Sequence, residues 1–451
     1  MKRFLGFGSR KTFSHGVHPP EAKELTQAKA IRRLPFAPEF IIPLSQHTGA
    51  PARPIVREGQ EVVRGEPIAE AGGFVSVPMH APVSGVILKI GLARDVRGGM
   101  SPAIIVRQYP GASQEILYGT HVDVDTLAPA EIVKAVQNTG VVGLGGAAFP
   151  THVKLAVPDN KRVDTIIVNG CECEPYLTTD HRIMLERAGD LFEGIRIVKR
   201  AMSAERVIIG VEHNKLDAVE HLRATKPAGL DVAIEVVEAK YPQGAEKMLS
   251  KALVNREVPS GKLPVDVGVA VFNVATLSQI GELLPRKQGL IERVVTVSGP
   301  SVSRPGNYLV ALGTPLRFVL EQVGFDDPDA QFLFGGPMMG VSVGSVDVPV
   351  TKGVTGILVF PRGDSRLARD KKEFGCIKCG SCIQACPMHL NPSTLGLLAK
   401  KQEYDMMAEQ YHLMDCFECG CCSYVCPSNI PLVQHFRVAK SVVRDRKVSA
   451  S

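Results

Sequence analysis

The chain has 451 residues, 45% of them hydrophobic and 22% charged, with a formal net charge of +6. That length exceeds one ordinary core and implies roughly two to four domains, and so mild a charge gives no reason to expect a nucleic-acid partner. No run of about 18 apolar residues is present; the nearest, "LPVDVGVAVFNVATLSQIGELLP", is interrupted by Asp266, Asn273, Gln279 and Glu282 and reads as a strand followed by a helix. The opening "MKRFLGFGSRKTFSHGVHPP" lacks the apolar run of a secretory signal. An intracellular protein with reduced thiols is expected, and its eleven cysteines then argue for metal over disulfides.

In chain order, residues 40–90 read as short strands broken by glycine and proline, and resemble a biotinyl/lipoyl-like sandwich. The hairpin "FVSVPMHAPVSG" has no lysine where a carrier domain bears its modified one, so docking is expected in place of a swinging arm. His15, His18, His47 and His80 are scattered among prolines and read as turn residues.

The middle alternates in period. "PAEIVKAVQNTG" predicts a helix, "VDTIIV" a buried strand and "HRIMLERAGDLFEGIRIVKRAM" one long amphipathic helix; "RVIIGVE" and "DVAIEVVEA" predict strands flanking the helical "NKLDAVEHLRAT". Strand and helix repeated in this way imply a parallel sheet covered by helices, whose ligands gather at the carboxyl ends of the strands. Three segments fall at such junctions: "NGCECEPYLTTDHR", "YPQGAEK" with Tyr241, Gly244 and Glu246, and "VFNVATL" with Asn273 and Thr276. A fourth, "GVVGLGGAAFPTHVK", offers the backbone N–H groups of Gly143, Gly145 and Gly146 to an anion, with Lys154 within reach. It follows a helix, so it is not the dinucleotide fingerprint. Together these segments form one composite candidate site.

From about 290 to 345, strand, turn and helix alternate as in a small β-grasp module, expected to act as a spacer, with "GGPMMG" exposed to a neighbour. Towards the C-terminus "CIKCGSCIQACP" and "CFECGCCSYVCP" both follow C-x2-C-x2-C-x3-C-P, the spacing that wraps thiolates around a [4Fe–4S] cube. Because the fourth cysteine of such a motif serves the other cluster, the expected sets are Cys376, Cys379, Cys382 with Cys426, and Cys416, Cys419, Cys422 with Cys386. Zinc, which prefers two C-x2-C knuckles set well apart, is the competing reading. Cys421 breaks the register and is read as packing; His389 and His412 are read as surface or packing residues and not as ligands. Asn391–Pro392 predicts a helix cap, and Met406, Met407 and Tyr411 a second helix. The basic end "RVAKSVVRDRKVSAS" reads as a solvated tail or as a face for an acidic partner or membrane.

With "GVHPPEAKELT", "IPLSQHTGAPARPIV", "VGLGGAAFPTHVKL", "NGCECEPYLTTDHR" and both cysteine motifs, nearly the whole chain resembles the C subunit of the Rnf electron transport complex. Its middle is similar to the flavoprotein subunit of respiratory complex I. The resemblance implies an α/β multidomain protein: a barrel-sandwich-like domain over 1–120, a parallel α/β FMN/NADH domain over 121–288, a β-grasp (SLBB-like) module over 289–362 and a helical two-cluster ferredoxin domain over 363–451. It implies non-covalent FMN in a cradle of Gly143, Gly145, Gly146, Lys154, Asn169, Glu172, Tyr241, Gly244, Asn273 and Thr276. NADH would lie across Phe149, Glu174 and Glu246, with Lys262 nearby. It also implies a peripheral subunit on the cytoplasmic face of the bacterial inner membrane, working with other Rnf subunits and indirectly with ferredoxin or flavodoxin. The chain departs from complex I at Leu144, where that family has arginine, at Cys171, where it has aspartate, and at Ala148, where it has glycine. Cys171 and Cys173 are read as packing residues or as a redox-sensitive thiol beside the flavin. The alternatives are a soluble cobalamin-reductase-like flavoprotein and a flavin-free iron–sulfur conduit.

Overall fold

A computed structural model describes residues 11–113, 115–325, 327, 329–364 and 371–449. The central unit is a parallel four-stranded sheet in the order Ala233–Val237, Arg206–Glu212, Thr165–Gly170, Val269–Asn273. Alternation along the strands divides the apolar side chains between its faces. Ile166, Val168, Val207, Ile209, Ala270 and Phe272 meet the helices Pro129–Thr139, Ala188–Met202, Leu216–Thr225 and Val274–Leu283. Ile167, Ile208, Val269 and Val271 meet Glu246–Val254 on the other side. The single helix expected over 181–202 is two, Thr179–Glu186 and Ala188–Met202, because Arg187 leaves helical geometry at φ −131° and ψ 30°.

Ahead of this unit, Glu39–Pro43, Gly85–Arg94, Met100–Gln108 and Glu61–Val62 form an antiparallel sheet opposite a three-stranded one, around Phe40, Ile42, Ile68, Ile87 and Ile104. Its lysine-free hairpin packs on the central unit. His152 Nε2 bonds Phe74 O at 2.7 Å, Gln137 Nε2 donates to Ser76 O at 3.2 Å, and Val77 joins the central core. Among the four histidines read as turn residues, His47 and His80 are buried, and burial holds their imidazoles down to about 4 and about 3.

The β-grasp module places Leu316–Val323 against a six-stranded sheet whose edge strand, Ile31–Arg33, comes from the N-terminal segment. Residues 11–33 therefore run as a strap outside the two sheets of the sandwich. Lys11 and Val17 bridge to Val237 and Tyr241, Gly16 N–H donates to Ala385 O, and Asn307 Nδ2 donates to Thr26 O. The C-terminal unit is helical, with the cap at Asn391 accepting Thr394 N–H at 3.1 Å, and helices Pro392–Lys400, Tyr404–Glu409 and Leu432–Ser449 closing on Leu395, Met407, Leu413 and Phe436. Of its basic end, Arg437 and Lys440 meet Glu418 and Arg446 meets Asp405. Among the described residues no helix is long and apolar enough to cross a membrane.

Helices Ala188–Met202 and Val274–Leu283 cross at two glycines. A Cβ on Gly194 would stand 1.8 Å from Leu277 O, and one on Gly281 would stand 1.9 Å from Asp190 O. Gly194→Ala must push apart the helix that begins at the candidate residue Asn273. It is expected to cost roughly 2 kcal/mol, read as a lowered denaturant midpoint with the slope unchanged.

Candidate functional site

The carboxyl ends of Thr165–Gly170 and Val269–Asn273 are neighbours in the sheet, which places Asn169 and Asn273 side by side. Asn273 caps the helix that follows: its Oδ1 accepts Ala275 N–H at 2.9 Å and Thr276 N–H at 3.3 Å, and its Nδ2 donates to Asp180 Oδ2 at 2.6 Å. The glycine segment folds over this cap as a closed turn, with Gly143 N–H donating to Phe149 O at 2.8 Å and Leu144 N–H donating to Thr276 Oγ1 at 2.9 Å. Gly145 and Gly146 form its exposed tip; Gly146 has φ +119° with nothing within 4 Å of a Cβ, and a Cβ on Gly145 would touch Asn273 at 3.4 Å. Asn169 Nδ2 donates to Gly244 O at 2.8 Å, and Gly244 has to be glycine because a Cβ there would sit 2.5 Å from Cys171 O. Lys154 donates to Glu246 and to Val271 O. The structure thus brings Gly143, Gly145, Gly146, Phe149, Lys154, Asn169, Gly244, Glu246, Asn273 and Thr276 to one end of the sheet. Between Tyr241 and Gly244 lies Gln243, fully buried, with neither amide atom partnered among the described residues.

Leu144 is 2% exposed and packs in the central core, so the side chain at this position does not face the open tip. The cation that reaches the loop instead is Arg293, buried at the start of the β-grasp module, which donates to Leu144 O at 3.1 Å and to Lys352 O.

Three expected ligand contacts are engaged elsewhere, and a fourth residue, Lys262, stands exposed. The Glu172 carboxylate is buried and accepts Asp180 N–H at 3.0 Å and His181 N–H at 3.3 Å, capping Thr179–Glu186. Glu174 accepts Met338 N–H at 3.0 Å and Met339 N–H at 2.8 Å, which fastens "GGPMMG" to the central unit; burial raises its carboxyl to about 7. Tyr241 is 1% exposed and its hydroxyl donates to Cys419 O at 2.6 Å, away from any ring-stacking position. Lys262 is exposed in a turn whose Ser260 and Gly261 bond Asp415, so that turn grips the cysteine domain.

The two cysteine loops repeat at an interval of 40 residues, down to left-handed backbone at Lys378 and Glu418, Gly380 and Gly420, and His389 and Asn429. Such alternation turns successive N–H groups towards one point, as a sulfur-rich anion requires; Glu418 N–H donates to Cys416 Sγ at 3.4 Å. A cavity of about 60 Å³ is lined by Cys376, Cys379, Cys382 and Cys426. The other four stand within electrostatic range of one another, Cys422 with Cys416, Cys419 and Cys386. The exchanged fourth cysteine is thus seen on both sides. The sets differ in setting: Cys376 and Cys379 are exposed, whereas Cys419, Cys422 and Cys386 are buried. Cys421 is fully buried beside Tyr241, Val17 and Ala385. Burial pushes the thiols of Cys171 and Cys173 well up, which suits packing and not redox sensitivity.

Sequence reasoning missed Lys23. Its buried ammonium donates to Glu172 O and Glu174 O at 2.9 Å and also to Leu177 O, tying the acidic loop to the strap; burial holds its pKa below the ordinary lysine value. The motif "PPEAKELT" carries no spacing signal for this, since the acceptors lie some 150 residues on.

The chain is 42% identical over 434 residues to the C subunit of the proton-translocating ferredoxin:NAD(+) oxidoreductase complex of Clostridium ljungdahlii, covering 96% of this chain and 94% of that one. It belongs to the family of Rnf complex C subunits. Within that family, the C subunit of the Na(+)-translocating ferredoxin:NAD(+) oxidoreductase complex of Acetobacterium woodii is 42% identical over 439 residues, with 95% and 96% covered. The C subunit of the ion-translocating oxidoreductase complex of Haemophilus influenzae is 40% identical over 434 residues, which span 96% of this chain and 64% of that longer one. Family models match along the chain: the RnfC barrel sandwich hybrid domain at 11–109, the Nuo51 FMN-binding domain at 136–282, the SLBB domain at 294–342 and the 4Fe-4S dicluster domain at 375–430. An NAD+-reducing [NiFe]-hydrogenase in its air-oxidized state shares the fold at TM-score 0.51 and 20% identity, over 64% of this chain and 55% of that one. As a member of this Rnf family, the chain is part of an oxidoreductase and carries an FMN-binding domain and a 4Fe-4S dicluster domain.

Two buried lysines yield measurable outcomes. Lys23→Met strips three carbonyls of their shared donor and is expected to cost about 3 kcal/mol in denaturant unfolding. Lys352 donates to Pro78 O and Gly140 O, with no carboxylate partner among the described residues, and burial lowers its pKa from 10.5 to about 7. The folded chain therefore releases this proton while the unfolded chain keeps it, so stability rises from about pH 7 towards 10.5. Lys352→Met should lose that rise, read as the difference in unfolding midpoint between neutral and alkaline buffer.

Proposed function

We propose that this chain is the NADH-oxidising peripheral component of a membrane Rnf complex, seated on its cytoplasmic face. When bound, FMN supplies acceptance of a hydride from NADH and its release as single electrons to two [4Fe–4S] clusters. The residues fit these groups. The glycine tip leaves open the space a Cβ would fill, Gly244 admits close backbone approach, and eight thiols stand as two sets of four.

In this reading Gly145 and Gly146 offer N–H groups to the FMN phosphate, Gly143 closes the turn that presents them through its bond to Phe149 O, and the helix N-terminus at Asn273 and Thr276 lies beneath. Lys154 balances the phosphate charge. Asn169 and Gly244, already bonded to each other, present the floor of the cradle. Glu246, with a 43% exposed side chain, and Phe149 position the dinucleotide, while Glu174 acts indirectly by fixing the β-grasp loop. No side chain has to serve as acid or base. Cys376, Cys379, Cys382 and Cys426 hold one cluster; Cys416, Cys419, Cys422 and Cys386 hold the other. Onward delivery, by way of ferredoxin or flavodoxin, and ion movement belong to the other components of the complex.

The observation that supports this reading is that the single loop 241–246 bonds Asn169 and Lys154 of the cradle on one flank and Cys419 of the buried thiol set on the other. Anaerobic purification followed by flavin and iron analysis tests it. FMN with two clusters, all bleaching on addition of NADH, is the expected result. Iron without flavin, and no bleaching after FMN is supplied, would overturn it.

A further inference from the structure

The loop that follows strand Ala233–Val237 contributes to two places at once. Gly244 O accepts Asn169 Nδ2 in the cradle, and Glu246 meets Lys154 there. Three residues before Gly244, Tyr241 turns the other way. Its backbone is bonded in both directions to Val17 of the strap at 2.9 Å, and its ring is enclosed by Val17, Ala385, Cys419, Cys421 and Cys173. Its hydroxyl donates to the carbonyl of Cys419, one of the buried thiol set. Among the described residues nothing comparable ties the cradle to the exposed set, whose cavity is lined by residues between 376 and 432.

We propose that Tyr241 is a positioning residue that couples the cradle to the buried set, Cys416, Cys419, Cys422 and Cys386, making that set the entry point for electrons and the exposed set the exit. This rests on the function proposed above. One hydride from NADH delivers two electrons; each cluster is reduced by one, and one proton is released to solvent. A short covalent path and a single hydrogen bond join Gly244 to Cys419, and the hydrogen bond to a ligand-bearing residue also acts on the potential of the cluster it holds.

Tyr241→Phe removes the hydroxyl and keeps the ring. FMN and iron contents and the NADH-driven bleaching of the flavin are expected to match wild type. Cluster bleaching in stopped flow is expected to slow by about tenfold. In a dithionite titration with mediators, followed by electron paramagnetic resonance, one of the two cluster signals should shift in midpoint while the other stays. Wild-type bleaching rates with both midpoints unmoved would overturn the proposal and leave Tyr241 as packing. The titration does not use NADH, so it reads Tyr241 even if NADH proves not to be the donor, and the two readings fail separately. If Tyr241→Phe does not load iron, Cys379→Ser decides: the cluster that survives, on the buried set, should still be reduced by NADH, and its failure to be reduced would overturn the assignment of entry.

Discussion

One buried ammonium organises the centre of this molecule. Lys23 sits beneath the loop that leaves strand Thr165–Gly170 and donates to the carbonyls of Glu172, Glu174 and Leu177. A lone ammonium in such a place costs several kcal/mol unless it is fully hydrogen-bonded; here three backbone oxygens satisfy it, with the Glu172 and Glu212 carboxylates near enough to favour its charge. The loop it shapes has three attachments. Glu172 caps a helix of the central unit, Glu174 holds the β-grasp loop at Met338 and Met339, and Cys173 packs beside Tyr241. Through the strap, the same short stretch also edges the β-grasp sheet at Ile31–Arg33 and bonds Ala385 next to a cluster cysteine.

The four units are therefore stitched by polar contacts at their junctions as much as by separate apolar cores. Arg293 and Lys352, both buried, donate to carbonyls of neighbouring units, and each removal would strand acceptors that water does not reach. Such junctions suit a protein that has to keep redox groups at fixed separation. They also explain the unequal setting of two cysteine loops with the same local geometry: one lies against Tyr241 and Met338, while the other, with Ile377 69% and Phe374 53% exposed, faces outward.

The sequence by itself determined whatever depends on local spacing. Period-two and helical patterning located the parallel sheet, the C-x2-C-x2-C-x3-C-P repeats paired Cys386 and Cys426 with the opposite loops, and glycines marked the open turn at 143–146. These features are legible because their physics acts over a few residues: a turn needs a missing Cβ, and a cluster needs closely spaced thiolates. The sequence pointed Glu172, Glu174 and Tyr241 at the ligand, whereas their side chains bond neighbouring elements, because a side chain beside a site looks the same in one dimension whether it faces the ligand or the neighbouring domain. Only tertiary structure decided that Glu172 caps a helix, that Glu174 fastens another domain, that Arg293 supports the loop at Leu144 and that Lys23 holds the whole. The physical reason is that a buried charge or hydroxyl must find partners wherever folding puts them, and here those partners lie 8 to 178 residues away.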